Sequence, residues 1–220
     1  MSAKRRRTKR DIRRRSLGQN FLADRAEVRK LIAAFDVQPN GLIVDVGAGR
    51  GALTLPLAEA GARVIAVESD PVWVRELEGR VTNVGLGDQV EIVRGDFRDV
   101  GWPSEAFRVV SSPPFGLTTA LFSTLFDNPA EGPARADLVI QAEVARKRAA
   151  TPPTTLRSAA WAPWWTFQLG QVVPRSAFRP VPRVDAALIT ARRREPAVLP
   201  EWLAPQLREL LRPGWVPPKH

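Results

Sequence analysis

A regular alternation of short apolar segments with helix-forming segments constrains the fold of this chain more than any other feature. The apolar segments are predicted β-strands at residues 42–46, 63–67, 90–93, 107–111 and 137–141. Apolar strands that are separated by helices are typical of a parallel sheet covered by helices on both faces. The sequence therefore predicts an α/β fold with an open, mostly parallel, Rossmann-like sheet at its centre.

Capping signals predict where the helices begin. Asp24, with Glu27 three residues later, begins a predicted helix that ends near Phe35. Asp70 and Pro71 begin another, because a side-chain acceptor followed by proline is favoured at a helix N-terminus. The last third of the chain is predicted to add two strands and a final helix, at residues 167–173, 186–192 and 201–211.

Positive charge is concentrated at the start of the chain. Residues 1–15 contain nine Lys or Arg residues and one acid, so they carry +8 of the formal net charge of +10. A segment of this density favours a polyanionic partner, because each phosphate that it neutralises releases counterions. We therefore predict a flexible basic arm over residues 1–15; a solubilising tail and a targeting signal are the alternatives.

The composition excludes several kinds of site. The chain has no cysteine, and its one histidine, His220, is the last residue. Disulfides, thiolate or histidine metal sites, cysteine nucleophiles and histidine-based triads are therefore excluded. No apolar run reaches membrane-spanning length, and the N-terminus lacks the apolar core of a secretory signal. We expect a cytoplasmic protein without a membrane segment and without a resident metal ion.

The residues that follow each predicted strand are candidate site residues, because ligands of open parallel sheets bind beyond the carboxyl ends of the strands. Gly47 and Gly49 follow the first strand, and glycine there lets the backbone approach a ligand closely. Glu68 ends the second strand, where an acid accepts hydrogen bonds from ribose hydroxyls. Asp96 follows the third, in position for the exocyclic amine of an adenine. This set predicts a nucleoside cofactor and leaves nicotinamide dinucleotides and S-adenosylmethionine both open.

The loop after the fourth strand distinguishes these cofactors. It contains Ser112, Pro113, Pro114 and Phe115. The Ser112 hydroxyl and the Pro113 carbonyl can accept hydrogen bonds from an exocyclic amine, which favours a nucleophilic nitrogen, and the prolines keep these acceptors in place. Phe115 offers a face on which a flipped adenine stacks. The loop therefore predicts S-adenosylmethionine as the cofactor and methylation of an amine as the reaction.

Two further segments give the sequence a family resemblance. Residues 18–22 read Gly-Gln-Asn-Phe-Leu, and residues 178–185 contain a Phe-x-Pro-x-Pro-x-Val pattern. With the loops described above, they resemble the rRNA adenine N6-methyltransferases, a family that includes the erythromycin-resistance methylases and the small-subunit dimethylases. The resemblance extends over residues 16–190, which is most of the chain.

The resemblance implies a class I methyltransferase domain over residues 16–194. The residues that it implies for binding S-adenosylmethionine are Gln19, Asn20, Leu22, Gly47, Gly49, Glu68, Asp96 and Ser112. The implied catalytic residues are Ser112, Pro113 and Phe115.

Within the family, the basic arm and residues 143–148 (Glu-Val-Ala-Arg-Lys-Arg) are more similar to the erythromycin-resistance branch of actinobacterial type. That branch implies methylation of one adenine in 23S rRNA, which blocks macrolide, lincosamide and streptogramin B binding. We expect a monomer with ribosomal RNA as its partner. The alternatives are a small-subunit rRNA dimethyltransferase, a DNA adenine N6-methyltransferase and a non-catalytic RNA-binding factor on the same fold.

The sequence departs from the family at two places. The family has asparagine followed by leucine or isoleucine where Ser112 and Pro113 stand. Serine is shorter and has one acceptor, so we predict that activity is retained and that adding one methyl group is favoured over adding two. The family also has a helical C-terminal domain, whereas residues 195–220 predict only a short helical remnant. Either the basic arm replaces that domain, or the chain is a shortened form.

Two clusters near the end of the chain admit a structural and a functional interpretation. Trp161, Trp164 and Trp165 are predicted to belong to the core rather than to a base-stacking platform. The three arginines at residues 192–194 are candidates for phosphate contacts, and a solvated charge run is the alternative.

Overall fold

The computed structural model describes residues 20–214 of the 220-residue chain. Nine strands are present in this part: β1 (Phe21–Leu22), β2 (Leu42–Val46), β3 (Arg63–Glu68), β4 (Val90–Arg94), β5 (Arg108–Ser111), β6 (Arg135–Gln141), β7 (Trp165–Val173), β8 (Phe178–Arg179) and β9 (Ala186–Arg193). Seven of them form one sheet in the spatial order β4-β3-β2-β5-β6-β9-β7. The predicted basic arm and Gln19 lie outside the described residues.

The sheet has the predicted α/β architecture. Strands β2 to β6 are parallel, and β9 and β7 add two antiparallel strands at one edge. All five predicted strands of the first part of the chain are confirmed, and no end differs from the prediction by more than two residues. The chain runs outwards from β2 through β3 to β4 and then returns to β5 on the other side of β2. The carboxyl ends of β2 and β5 therefore form the crevice in which such sheets bind ligands.

Helices cover both faces of the sheet. They are α1 (Arg25–Phe35), α2 (Thr54–Glu59), α3 (Pro71–Asn83), α4 (Thr118–Phe126), α5 (Ala142–Ala149), α6 (Leu156–Trp161) and α7 (Ala204–Gly214). The predicted N-terminal caps are confirmed: the Asp24 carboxylate accepts a hydrogen bond from the Ala26 N–H, and that of Asp70 accepts one from the Val72 N–H. No helix within residues 20–214 is long and apolar enough to cross a membrane.

The three neighbouring tryptophans belong to the core, as predicted. Trp161, Trp164 and Trp165 are each 1% exposed and belong to one buried apolar cluster, in which Trp161 and Trp165 pack on Phe126 of α4. The Trp164 indole N–H also donates to the Leu199 carbonyl at 2.8 Å, which ties the segment before α7 to this core. Arg193 donates to the Gly132 carbonyl, so its guanidinium serves the fold.

The two shortest strands form a separate antiparallel pair that the sequence did not predict. Phe21 lies opposite Arg179, and Leu22 opposite Phe178. The Ala23 N–H extends the pairing by donating to the Ala177 carbonyl at 2.8 Å. The pair joins the Gly-Gln-Asn-Phe-Leu segment to the Phe-x-Pro-x-Pro segment, although more than 150 residues separate them in the chain.

Candidate active site

The turn between β2 and α2 forms one side of the candidate site. Gly47 and Gly49 have φ angles of +74° and +54°, a left-handed conformation that glycine adopts at no steric cost. A Cβ on Gly47 would meet nothing within 4 Å, whereas a Cβ on Gly49 would lie 2.8 Å from the Phe21 ring. Gly47 therefore leaves its backbone open to a ligand, and Gly49 makes room for β1.

Glu68 is buried at the carboxyl end of β3 and is 5% exposed. Its Oε2 accepts a hydrogen bond from the Gly49 N–H, and its Oε1 accepts one from the Asp70 N–H, both at 2.8 Å. These bonds hold the carboxylate between the glycine turn and the beginning of α3. A carboxylate has about four acceptor positions, so two remain for the hydroxyl groups of a ligand.

Asp96 lies in the loop after β4. Its Oδ1 accepts hydrogen bonds from the backbone N–H of Arg98, at 3.0 Å, and from the Arg98 Nε, at 2.8 Å. The hydrogen bond with the Arg98 side chain lowers the pKa of Asp96 to about 2. Asp96 is therefore ionised at neutral pH and can only accept hydrogen bonds from a ligand.

A cavity connects these residues at the carboxyl ends of the central strands. Its empty volume, including the part open to solvent, is about 930 Å³. Val46, Val67 and Phe97 give it apolar walls. Six residues that the sequence analysis assigned to the site line this one cavity: Asn20, Gly47, Glu68, Asp96, Ser112 and Pro113.

The loop after β5 reaches the cavity because β5 is fixed against β2. Ser111, the last residue of β5, is buried, and its hydroxyl donates to the Val46 carbonyl at 2.6 Å. The next residues, Ser112 and Pro113, line the cavity. The sequence analysis did not consider Ser111; only the strand register, which places it beside Val46, reveals its part in positioning the loop.

Phe115 stands beside the cavity and is not among the residues that line it. Its ring meets the buried Phe178 ring edge to face, with centroids 6.4 Å apart and an interplanar angle of 65°. Phe178 belongs to β8, so the Phe-x-Pro-x-Pro segment supports the aromatic residue of the Ser112–Phe115 loop. Stacking of an adenine on Phe115 remains a prediction.

Strand β1 covers the cavity from the side of the glycine turn. Asn20 and Phe21 line the cavity, and the Phe21 ring packs edge to face on Trp73 with centroids 5.0 Å apart. Leu22 is 6% exposed and packs in the core instead, because successive side chains of a strand face opposite sides. The sequence analysis named Leu22 and not Phe21; the contact of Leu22 with a cofactor remains a prediction.

A second acid, Asp45, lies within β2 below the glycine turn. It is buried, and its Oδ2 accepts a hydrogen bond from the Thr54 hydroxyl at 2.6 Å. Burial in the sheet raises the pKa of Asp45 to about 7. Asp45 does not line the cavity, so its part is to join β2 to the beginning of α2.

The basic residues of α5 divide between surface and core. Arg146 and Lys147 are exposed, and Lys147 pairs with Glu143 at 2.7 Å. Arg148 lies over the rings of Phe122 and Trp161, with its guanidinium carbon 5.7 and 5.2 Å from their centroids. Arg148 therefore stabilises the aromatic core.

Known proteins share this sequence and architecture. Residues 10–213 match the profile of the family described as ribosomal RNA adenine dimethylase. An rRNA adenine N-6-methyltransferase of Corynebacterium diphtheriae is 40% identical over 80% of this chain and 67% of its own length. The mycinamicin-resistance protein MyrB of Micromonospora griseorubida is 35% identical over 93% of this chain and 64% of its own length. The chain thus spans about two thirds of these curated relatives.

A solved structure shares the fold of this chain. The crystal structure of the 23S rRNA methyltransferase ErmE superposes with a TM-score of 0.76 and 28% identity, over 88% of this chain and 78% of that one. The profile match extends over more than nine tenths of the chain, and it includes both the glycine turn and the Ser112–Phe115 loop. The chain therefore belongs to the ribosomal RNA adenine dimethylase family.

Proposed function

We propose that this protein transfers a methyl group from S-adenosylmethionine to the N6 amine of an adenine in ribosomal RNA. The observation that carries the proposal is the composition of one cavity. Gly47, Glu68 and Asp96 line it with groups suited to a nucleoside, and Ser112 and Pro113 line it with acceptors for an amine. A cofactor and an acceptor base that enter this cavity are held close together.

The chemistry of the lining residues fits the cofactor. Gly47 leaves open space where any other residue would place a Cβ, and Glu68 retains two acceptor positions for ribose hydroxyls. The ionised Asp96 carboxylate suits the exocyclic amine of the cofactor's adenine. S-adenosylmethionine supplies a methyl group that its sulfonium already activates.

The loop residues act on the acceptor adenine. The Ser112 hydroxyl and the Pro113 carbonyl accept hydrogen bonds from its amine, which draws the lone pair of the nitrogen out of conjugation with the ring. The face of Phe115 supports the flipped base, at about 1–3 kcal/mol for such stacking. Holding the nitrogen in line with an activated methyl supplies much of the rate. As the N–C bond forms, the S–CH3 bond breaks and S-adenosylhomocysteine leaves as a neutral thioether. The methylated nitrogen then releases one proton to solvent, so the reaction needs no strong general base.

We propose 23S rRNA as the substrate and resistance to macrolides as the consequence. The likeness to ErmE, a 23S rRNA methyltransferase, and to a mycinamicin-resistance protein supports this assignment. We further propose that the protein acts in the cytoplasm as a monomer without a metal ion. In this proposal residues 1–15 are a basic arm, residues 16–194 the methyltransferase domain and residues 195–220 a short appendage.

The test is methyl transfer from labelled S-adenosylmethionine to protein-free 23S rRNA, 16S rRNA and adenine-containing duplex DNA. The expected result is labelling of 23S rRNA alone, at one adenine that a reverse-transcription stop locates. Labelling of 16S rRNA alone would assign the protein to the small-subunit branch, and labelling of DNA alone would contradict an RNA substrate. If the cofactor binds and no nucleic acid is labelled, the catalytic proposal fails.

A further inference from the structure

A second, more open groove adjoins the cofactor cavity, and the two share Phe21. The groove lies among the beginning of α1, the glycine turn, α2, the end of α3 and β8. Its empty volume, including the part open to solvent, is about 1840 Å³. Five arginines line it: Arg25, Arg29, Arg50, Arg80 and Arg179. We call it the arginine groove.

The arginine groove has an excess of positive charge that the rest of the folded chain lacks. Glu59 is the one acid among its lining residues, and Asp24, near Arg179, is engaged as the cap of α1. Residues 16–220 together carry a formal charge of only about +2, because residues 1–15 hold +8 of the total of +10. The five arginines and the one acid that line the groove sum to +4, which is more than that total. Positive charge gathered along one concave surface is unfavourable without counterions, so the groove attracts an anion that spans several arginines.

Three of the arginines are held in place by contacts with neighbouring residues. Arg50 forms an ion pair with Glu76, and Arg80 donates to the Arg50 carbonyl. Arg179 donates to the carbonyls of Ser176 and Phe178, at 2.6 and 2.8 Å. The backbone contacts of Arg80 and Arg179 orient their guanidinium groups without neutralising the charge, whereas the charge of Arg50 is balanced by Glu76.

Arg25 and Arg29 complete the charged surface. They lie four residues apart on α1, and therefore on the same face of that helix. Both side chains are exposed, and neither forms an ion pair with any residue of 20–214. Their guanidinium groups have donors available for phosphate oxygens, which arginine binds in a bidentate manner.

The groove leads to the loop on which the acceptor base is expected to stack. Arg179 lies opposite Phe21 in the β1–β8 pair, and its neighbour Phe178 contacts Phe115. The short strand β8 thus connects the groove, through Arg179, with the Ser112–Phe115 loop, through Phe178, and an RNA strand that places its adenine on Phe115 can extend its backbone towards Arg179.

We propose that the arginine groove binds the sugar-phosphate backbone of the RNA next to the target adenine; this inference rests on the proposed function. The floor consists mainly of aliphatic side chains such as Leu22, Val28 and Leu55, and Phe21 is the one aromatic residue that lines it. A surface of this kind contacts phosphates rather than bases. The groove therefore contributes affinity that depends on salt and little on sequence.

The test compares two variants of the full chain that lose the same charge. Arg25→Gln/Arg29→Gln changes the groove. Arg75→Gln/Arg212→Gln changes two exposed arginines outside the groove, on α3 and on α7. Binding of protein-free 23S rRNA is measured by filter binding between about 50 and 200 mM salt, and S-adenosylmethionine affinity is measured by calorimetry.

The Arg25→Gln/Arg29→Gln variant is expected to bind RNA roughly tenfold more weakly than the wild type at low salt. The slope of log affinity against log salt concentration should become shallower by about 0.7 for each lost phosphate contact. Its affinity for S-adenosylmethionine should be unchanged. The Arg25→Lys/Arg29→Lys variant, which keeps both charges, should retain most of the salt dependence of RNA binding. An equal loss of RNA affinity in the groove variant and the control variant would overturn the proposal, because it would show an effect of net charge only. If the wild-type protein methylates RNA and the groove variant binds RNA as tightly as the wild type, the groove proposal is overturned and the proposed function stands. If the wild-type protein neither binds nor methylates RNA, the proposed function fails as well.

Discussion

The Glu68 carboxylate accepts a hydrogen bond from the backbone N–H of Gly49, with 2.8 Å between Oε2 and N. This bond joins the end of β3 to the turn that follows β2, so the two neighbouring strands and the turn are fixed as one unit. Because Glu68 also accepts from the Asp70 N–H, it positions the beginning of α3 as well. The proposed ribose-binding group of the site is thus also a structural link.

Replacing Glu68 with alanine is therefore expected to weaken cofactor binding and stability together. Loss of two charged hydrogen bonds to ribose lowers S-adenosylmethionine affinity by about 100-fold or more. The buried Gly49 N–H loses its partner, which lowers the free energy of unfolding by about 1–3 kcal/mol. Calorimetry and urea denaturation measure the two effects. Glu78→Ala, on the exposed side of α3, is the control, and an equal cofactor affinity of both variants would contradict the ribose assignment.

Replacing Ser112 with asparagine is expected to change the number of methyl groups added. Serine has one acceptor on a short side chain at the edge of the cavity, so we expect the wild-type protein to release mainly monomethyladenosine. The longer amide side chain of the Ser112→Asn variant reaches further, so this variant should raise the share of dimethyladenosine. Mass spectrometry of nucleosides from the RNA product, under limiting enzyme, gives the ratio. Predominant dimethyladenosine from the wild-type protein would refute this prediction.

Replacing Phe115 with alanine is expected to affect the acceptor and spare the cofactor. Phe115 does not line the cavity, so S-adenosylmethionine affinity should remain nearly unchanged. Methylation of RNA should fall by roughly 5- to 150-fold, which corresponds to about 1–3 kcal/mol of stacking. Phe115→Trp, which keeps an aromatic face, is the matched control. An equal loss in both variants would show that Phe115 serves the Phe178 contact and not the base.

Replacing Asp45 with asparagine is expected to change how stability depends on pH. The folded state raises the pKa of Asp45 from 3.8 to about 7, so between these values the folded protein binds more protons than the unfolded one. The contribution of Asp45 to stability therefore falls as pH rises from about 4 to 7. The asparagine side chain keeps an acceptor for Thr54 and cannot ionise.

As pH rises across this interval, the free energy of unfolding of the Asp45→Asn variant should therefore increase relative to that of the wild-type protein, by an amount on the order of a few kcal/mol. Urea denaturation at about pH 5 and about pH 8, on either side of the raised pKa, measures the difference. Asp88→Asn, an exposed acid, supplies the reference. If the two variants show the same pH dependence, Asp45 is not the group that titrates.

Sequence alone determined the class of fold and six of the fifteen residues that line the cavity. Strand position follows from local apolar runs, and in a parallel sheet every strand presents its carboxyl end at the same edge. Gly47, Glu68, Asp96 and Ser112 could therefore be assigned to one site from their places after successive strands. The three tryptophans could be assigned to the core because large aromatic side chains beside strands gain most free energy when buried.

The tertiary structure alone decided which distant segments contact one another. The β1–β8 pair places Phe21, rather than Leu22, in the cavity wall and places Phe178 under Phe115. The register of β5 on β2 gives Ser111 its hydrogen bond to Val46, and the path of the chain gathers the arginines of four separate segments into one groove. These relationships depend on pairings between segments far apart in the chain, which local patterns of hydrophobicity and charge do not encode.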